Sequence, residues 1–117
     1  MNEAPSVDQL AALIDFSADA VLLVDLGGVI RWANPATATV LGYAPADVIG
    51  LRVRDLVEPQ DLEAWTELVR RLVDHPDVPQ TGVFRCRHRD GSVRWTEGVA
   101  RNLLREPKVA AVVVYYR

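Results

Sequence analysis

Apolar residues recur along this chain in two rhythms, and the changes of rhythm mark out its elements. Val7, Leu10, Leu13 and Ile14 fall at helical spacing behind Ser6 and Gln9, whose S-x-x-Q separation just after Pro5 is that of a capping box. This predicts a short amphipathic helix, marginal alone, whose apolar stripe must pack on its own domain or on a partner chain. Ala20 to Asp25 and Val29 to Ala33 read as two strands of a hairpin, joined by Leu26-Gly27-Gly28, where glycine tolerates positive φ. Asn34 is suited to cap a helix that Pro35 opens and Gly42 closes. Pro45 to Gly50 repeats that arrangement in miniature, and Asp55 to Val57 adds one further turn. From Pro59-Gln60-Asp61 a longer helix gathers Leu62, Trp65, Leu68, Val69, Leu72 and Val73 on one face and stops before His75-Pro76. A loop over residues 75–81 leads to the alternating run Gly82 to His88, with Val83, Arg85 and Arg87 on one side and Phe84, Cys86 and His88 on the other. Asp90-Gly91 turns the chain into a strand from Val93 to Asn102, and Arg105 to Lys108 connects it to a last strand, Val109 to Tyr116.

The order is two strands, a run of short helices, one longer helix and three strands in hairpin succession. It suits an α+β domain with a five-stranded antiparallel sheet, and leaves the order of strands within that sheet open. With 117 residues the chain holds one domain and not two. Residues 1–17 form a flanking segment with the amphipathic helix, and residues 18–117 the domain proper.

The residues at the turns carry a resemblance. Asp25-Leu-Gly-Gly28-x-Ile30-x-Trp32-x-Asn34-Pro35-Ala36 and Leu41-Gly42-Tyr43 are similar to the opening signature of the PAS superfamily. Asp47-x-x-Gly50, Glu58-Pro59-Gln60-Asp61-Leu62 and Arg87-x-Arg89-Asp90-Gly91-Ser92-x-Arg94-Trp95 resemble its later markers, and Asn102-Leu-Leu with Pro107 to Arg117 its last connection and strand. Glu58 stands where the family often has His, Ala111 where it often has Gly, and Ala44 where Ser or Thr is usual. The resemblance implies a sheet curled around a small cavity, closed by the helices, with signals leaving through flanking segments. The pattern stops just before the acid-Ile/Val-Thr that usually ends the fold, so an output segment is expected beyond Arg117.

Composition and charge narrow the chemistry. Glu3, Asp8, Asp15, Asp19 and Asp25 occupy the first 25 residues without one Lys or Arg, whereas Arg85, Arg87, Arg89, Arg94, Arg101 and Arg105 crowd residues 85–105. The net charge of -3 and the absence of aromatic interleaving argue against a nucleic-acid surface. No apolar run is long enough to span a bilayer, and the start of the chain lacks a secretory signal. With the lone Cys86, this points to a reducing cytoplasm. The abundance of Arg over Lys, with much Ala, Val and Leu, points to a GC-rich bacterial source. No nucleophile with a paired base, phosphate-cradling loop or acid pair marks an enzyme.

The resemblance also implies where a cofactor would attach. Light-sensing relatives need a reactive Cys near residues 50–58 and haem-binding relatives an axial His on the long helix. Cys86 lies on a later strand and His75 only at the helix end, and two separated His with one Cys make no metal cluster. Neither haem nor a Cys-adduct flavin is therefore expected, and no other cofactor is identifiable from the residues. Trp65, Val69, Phe84 and Cys86 either pack as core or line a cavity for a small, mainly apolar ligand. Val7, Leu10, Leu13 and Ile14, with Arg85 and Arg87 on the outer strands, form the candidate dimer and signal-transfer surface. The expected function is a regulatory homodimerisation module for an output domain outside this chain, with a small-molecule sensor as the alternative.

Overall fold

Two glycine turns place the hairpins. Gly28 takes φ 83° between β1 (Ala20–Val24) and β2 (Ile30–Ala33), while the Asp25 carboxylate accepts the Gly27 and Val29 amides at 2.9 and 3.0 Å. Gly91, at φ 89°, reverses the chain between β3 (Gln80–Arg87) and β4 (Val93–Leu103), and Asp90 accepts the Ser92 amide at 2.8 Å. β5 (Ala111–Tyr116) completes the sheet. It begins two residues later than the apolar run suggests, because Val109 and Ala110 close a turn on the Glu106 carbonyl and Ala110 adopts φ 52°.

The computed structural model describes residues 6–117; Glu3 of the acidic pole and Pro5 ahead of the first helix lie outside them. The sheet is antiparallel throughout, in the order β2-β1-β5-β4-β3. β5 takes the central place, which is why its sequence is a continuous apolar run: Ala111, Val113, Val114 and Tyr116 are all buried.

The helices cover one face of the sheet. α2 (Ala36–Leu41) lies against β1, α3 (Pro45–Val48) beside β2, and α4 (Leu62–Asp74) across β3 and β4. Two 3-10 turns, Val53–Leu56 and Pro59–Asp61, link α3 to α4. The core lies between these helices and the inner sheet face, with Leu22, Ile30, Leu41 and Val48 almost wholly buried. α1 (Val7–Asp15) has the expected capping box, Ser6 and Gln9 exchanging bonds of 2.8 and 3.1 Å, but none of its residues is buried.

Asn34 departs from its expected role. Its backbone carbonyl accepts from the Thr37 amide and hydroxyl, but its side chain makes no cap bond to α2. It is fully buried and reaches backwards instead. Its Oδ1 accepts the Val21 amide at 2.8 Å, and its Nδ2 donates to the Ile14 and Asp19 carbonyls at 2.9 and 3.0 Å.

Candidate functional site

The inner sheet face and α4 line an apolar void of about 50 Å³. Trp65 from α4 meets Phe84 from β3 edge-to-face at 5.6 Å between ring centroids, and both line the void with Cys86, Thr96 and Tyr116. Glycines make room for these rings: Gly82, Gly98 and Tyr116 are paired across three strands, so Gly82 and Gly98 leave the inner face open where Phe84 and Tyr116 lie. Cys86 Sγ sits 3.4 Å from the Thr96 hydroxyl, which is 3.1 Å from the Phe84 carbonyl. Burial pushes the Cys86 thiol up from its ordinary value, so it behaves as a small buried hydrophobe. Burial likewise pushes Tyr116 up, with lesser contributions from Cys86 and Tyr43.

Of the four residues expected to share a cavity, the structure brings together Trp65, Phe84 and Cys86 and leaves Val69 out. Leu68 and Leu72 centre the buried arc of α4, so Val69, one residue on, turns about 100° away. It lines a separate, open cleft of about 220 Å³, which Trp65 shares.

Arg85 and Arg87 are already occupied. Arg85 binds Asp61 through Nε at 3.0 Å and Nη2 at 2.6 Å while its backbone amide donates to the same carboxylate at 2.6 Å, and its guanidinium lies 5.0 Å from the Trp95 ring centroid. Arg87 Nε donates to Glu58 at 3.3 Å. Val57 bridges Cys86, and the Glu58 amide donates to the Arg85 carbonyl at 2.8 Å. Residues 57–61 thus cover part of the free edge of β3 and fix the start of α4. Glu58 and Asp61 were legible in the sequence only as a helix start.

The Arg85 guanidinium and amide hold the Asp61 carboxyl at about 2, below its ordinary 3.8. A lowered pKa means that the stabilisation is fully present above pH 3.8 and is lost as pH falls through about 2. Acid titration of the thermal melt is expected to show this loss, and Asp61→Asn to reduce it. An identical acid limb in the variant would remove Asp61 as its source.

The outward sheet face is largely uncovered. Val83, Val93, Trp95 and Tyr115 are exposed there, over a groove of about 450 Å³ whose floor includes Val83, Val99 and Tyr115. Glu97 at its rim is neutralised by Arg117 at 2.8 Å. Arg101, paired across the ladder with Val113, shares this face and holds no carboxylate among the described residues.

Against known proteins, the family profile described as PAS fold matches residues 30–114. The chain belongs to the PAS family. Its fold superposes on a PAS domain from Colwellia psychrerythraea with a TM-score of 0.83 at 29% identity, covering 95% of this chain and 94% of that one. The PAS domain of a LuxR-family transcriptional regulator from Burkholderia thailandensis, solved in complex with ethanol, gives 0.74 at 20% identity, covering 92% and 94%. White collar 1 protein of Neurospora crassa is 27% identical over 85 residues, which are 73% of this chain and 7% of that protein. This PAS domain therefore spans a small part of the curated relative's length.

In this PAS domain, Asn34, Gly82, Gly98 and Tyr116 are the residues that sequence reasoning undervalued. The two glycines inside strand patterns were the available signal, since a strand interior tolerates glycine best where something approaches closely. Nothing in the local sequence of Asn34 distinguishes a cap from a clamp.

Proposed function

We propose that this PAS domain is a cytoplasmic regulatory dimerisation module of a bacterial signalling protein, passing its state to an output domain elsewhere in the polypeptide. The observation that carries the reading is the uncovered stripe of α1: Leu13 is 66% exposed, and Val7, Leu10, Ile14 and the adjoining Phe16 are exposed with it. A nine-residue helix gains too little from its own hydrogen bonds to persist with such a stripe in water. The outer sheet face of a second copy offers matching apolar cover. Because Arg85 and Arg87 are held by Asp61 and Glu58, the cation that faces the acids of α1 in this reading is Arg101, beside Val113 and Val99. The bacterial setting draws support from the Colwellia likeness and the reducing one from the unpaired Cys86. Among the described residues no helix is long and apolar enough to cross a membrane.

Burying the exposed part of Leu13 contributes about 1 kcal/mol per copy. In a two-fold dimer Leu13→Glu is therefore expected to raise the dissociation constant about thirtyfold. Sedimentation velocity with a matched circular-dichroism melt measures this. A native chain that stays monomeric at about 100 µM, a weak-association threshold, would sink the proposal.

A second reading, a sensor of a small and mainly apolar molecule, is favoured by the apolar lining of the inner void, where Trp65, Phe84 and Cys86 meet. Its size, about 50 Å³, falls well short of the usual ligand pocket and restricts any occupant to a few heavy atoms. The Burkholderia domain with ethanol is a precedent at the level of fold alone. Native mass of the same sample decides it: a reproducible small added mass supports the sensor, and a bare polypeptide mass opposes it.

A further inference from the structure

The open cleft beside α4 shares Val53, Trp65, Ala100 and Val114 with the inner void and adds two arginines that the void lacks. Its floor is apolar, with Trp65, Val69 and Val73 on α4 facing Val112 and Leu104. Its rim carries Arg52 and Arg54, which flank the buried Val53 at the start of a 3-10 turn. Most arginines of this chain hold a carboxylate, as Arg31 holds Asp25 and Arg89 holds Asp47. Arg52 and Arg54 hold none among the described residues.

The nearby acids do not neutralise them. Asp25, whose carboxylate accepts the amide of Val29, the bridge partner of Arg52, is engaged by Arg31 at 2.7 Å and by the Gly27 amide. Asp55 accepts the Arg52 backbone amide at 3.3 Å and lies outside salt-bridge reach of both guanidinium groups. Asn102 and Thr66, the polar residues within the cleft, are bonded to the Leu72 and Leu62 carbonyls. An apolar trough is thus lined by two arginines that hold no carboxylate among the described residues, while its acid Asp25 is already paired.

We propose that this cleft binds a small amphiphilic carboxylate, its short hydrocarbon tail along Trp65, Val69 and Val73 and its carboxylate between Arg52 and Arg54. A guanidinium matches a carboxylate in plane, and an apolar floor rewards a tail and not a compact anion. The cleft, at about 220 Å³, sits below the usual range for drug-sized ligands, so the tail is short. This site is independent of the dimer, and its failure would leave that reading untouched.

Calorimetric titration of the whole 117-residue chain with octanoate, octanol and acetate tests it. Octanoate is expected to bind more tightly than either of the others, and Arg52→Gln with Arg54→Gln to weaken it about tenfold while leaving octanol unchanged. Val73→Glu, at an exposed position, is expected to abolish octanoate binding by placing a carboxylate over the tail. Thermal melts matched to the native chain establish that the variants fold, and the single arginine variants carry the comparison if the double one melts early. No octanoate binding, equal binding of octanol or acetate, or full affinity in the arginine or Val73 variants would overturn the site.

Discussion

Replacing Asn34 by alanine is expected to destabilise the fold by about 4 kcal/mol and to lower the melting temperature by about 15 °C. The side chain is fully buried and satisfies three backbone groups at once: the Val21 amide and the Ile14 and Asp19 carbonyls. Alanine leaves the Val21 amide without its acceptor at the start of a buried strand, and an unsatisfied buried group costs about 1–3 kcal/mol. The two lost donors and the space vacated supply the rest. Asn34→Asp separates the contributions. It retains an acceptor for Val21, loses both donors and buries a charge, so it should be no more stable than alanine at neutral pH. A loss below about 1 kcal/mol for alanine would show that water restores these bonds and that the clamp is dispensable.

The clamp also has a consequence for signalling. Ile14 and Asp19 bracket the junction between α1 and β1, and Asn34 is the side chain that ties both to the start of α2. In the dimerisation reading, a change in how α1 is covered is felt first at this junction. Hydrogen exchange of the Val21 amide, compared between the native chain and Leu13→Glu, would detect such a coupling. Unchanged protection would place the path elsewhere.

The hairpins, the long helix and the alternation of β3 were readable because each rests on local chemistry. Glycine supplies positive φ at residues 28 and 91, an aspartate caps each turn, and Phe84 and Cys86 alternate with Arg85 and Arg87. The strand order, with β5 in the centre, was not readable from succession alone. Residues whose role depends on partners far along the chain were the least legible. Asn34 acts on residues 13 to 20 positions away, and Arg85 and Asp61 meet across 24. Periodicity placed Val69 with Trp65 correctly on one broad side of α4, but it could not resolve which residues at the edge of that arc face the void and which the cleft.

The second large effect is expected at Gly98, where alanine should cost about 3 kcal/mol. A Cβ there would lie 2.8 Å from the Tyr115 carbonyl oxygen and 3.3 Å from Tyr116 Cβ. Both belong to the central strand, held by ladder bonds to β1 and β4, so neither can give way without breaking sheet pairing. Gly82, directly opposite on β3, is the informative contrast. Its added Cβ would meet the Phe84 ring at 2.5 and 2.8 Å, a closer approach but to a side chain that borders the inner void. The ring can turn into that space, so Gly82→Ala should cost only about 1 kcal/mol despite the shorter distances. Denaturant melts of the two variants rank them. If Gly82→Ala proves the more damaging, the Phe84–Trp65 pair is rigid, the void cannot absorb a displaced ring, and a ligand that needs it to widen has no place there.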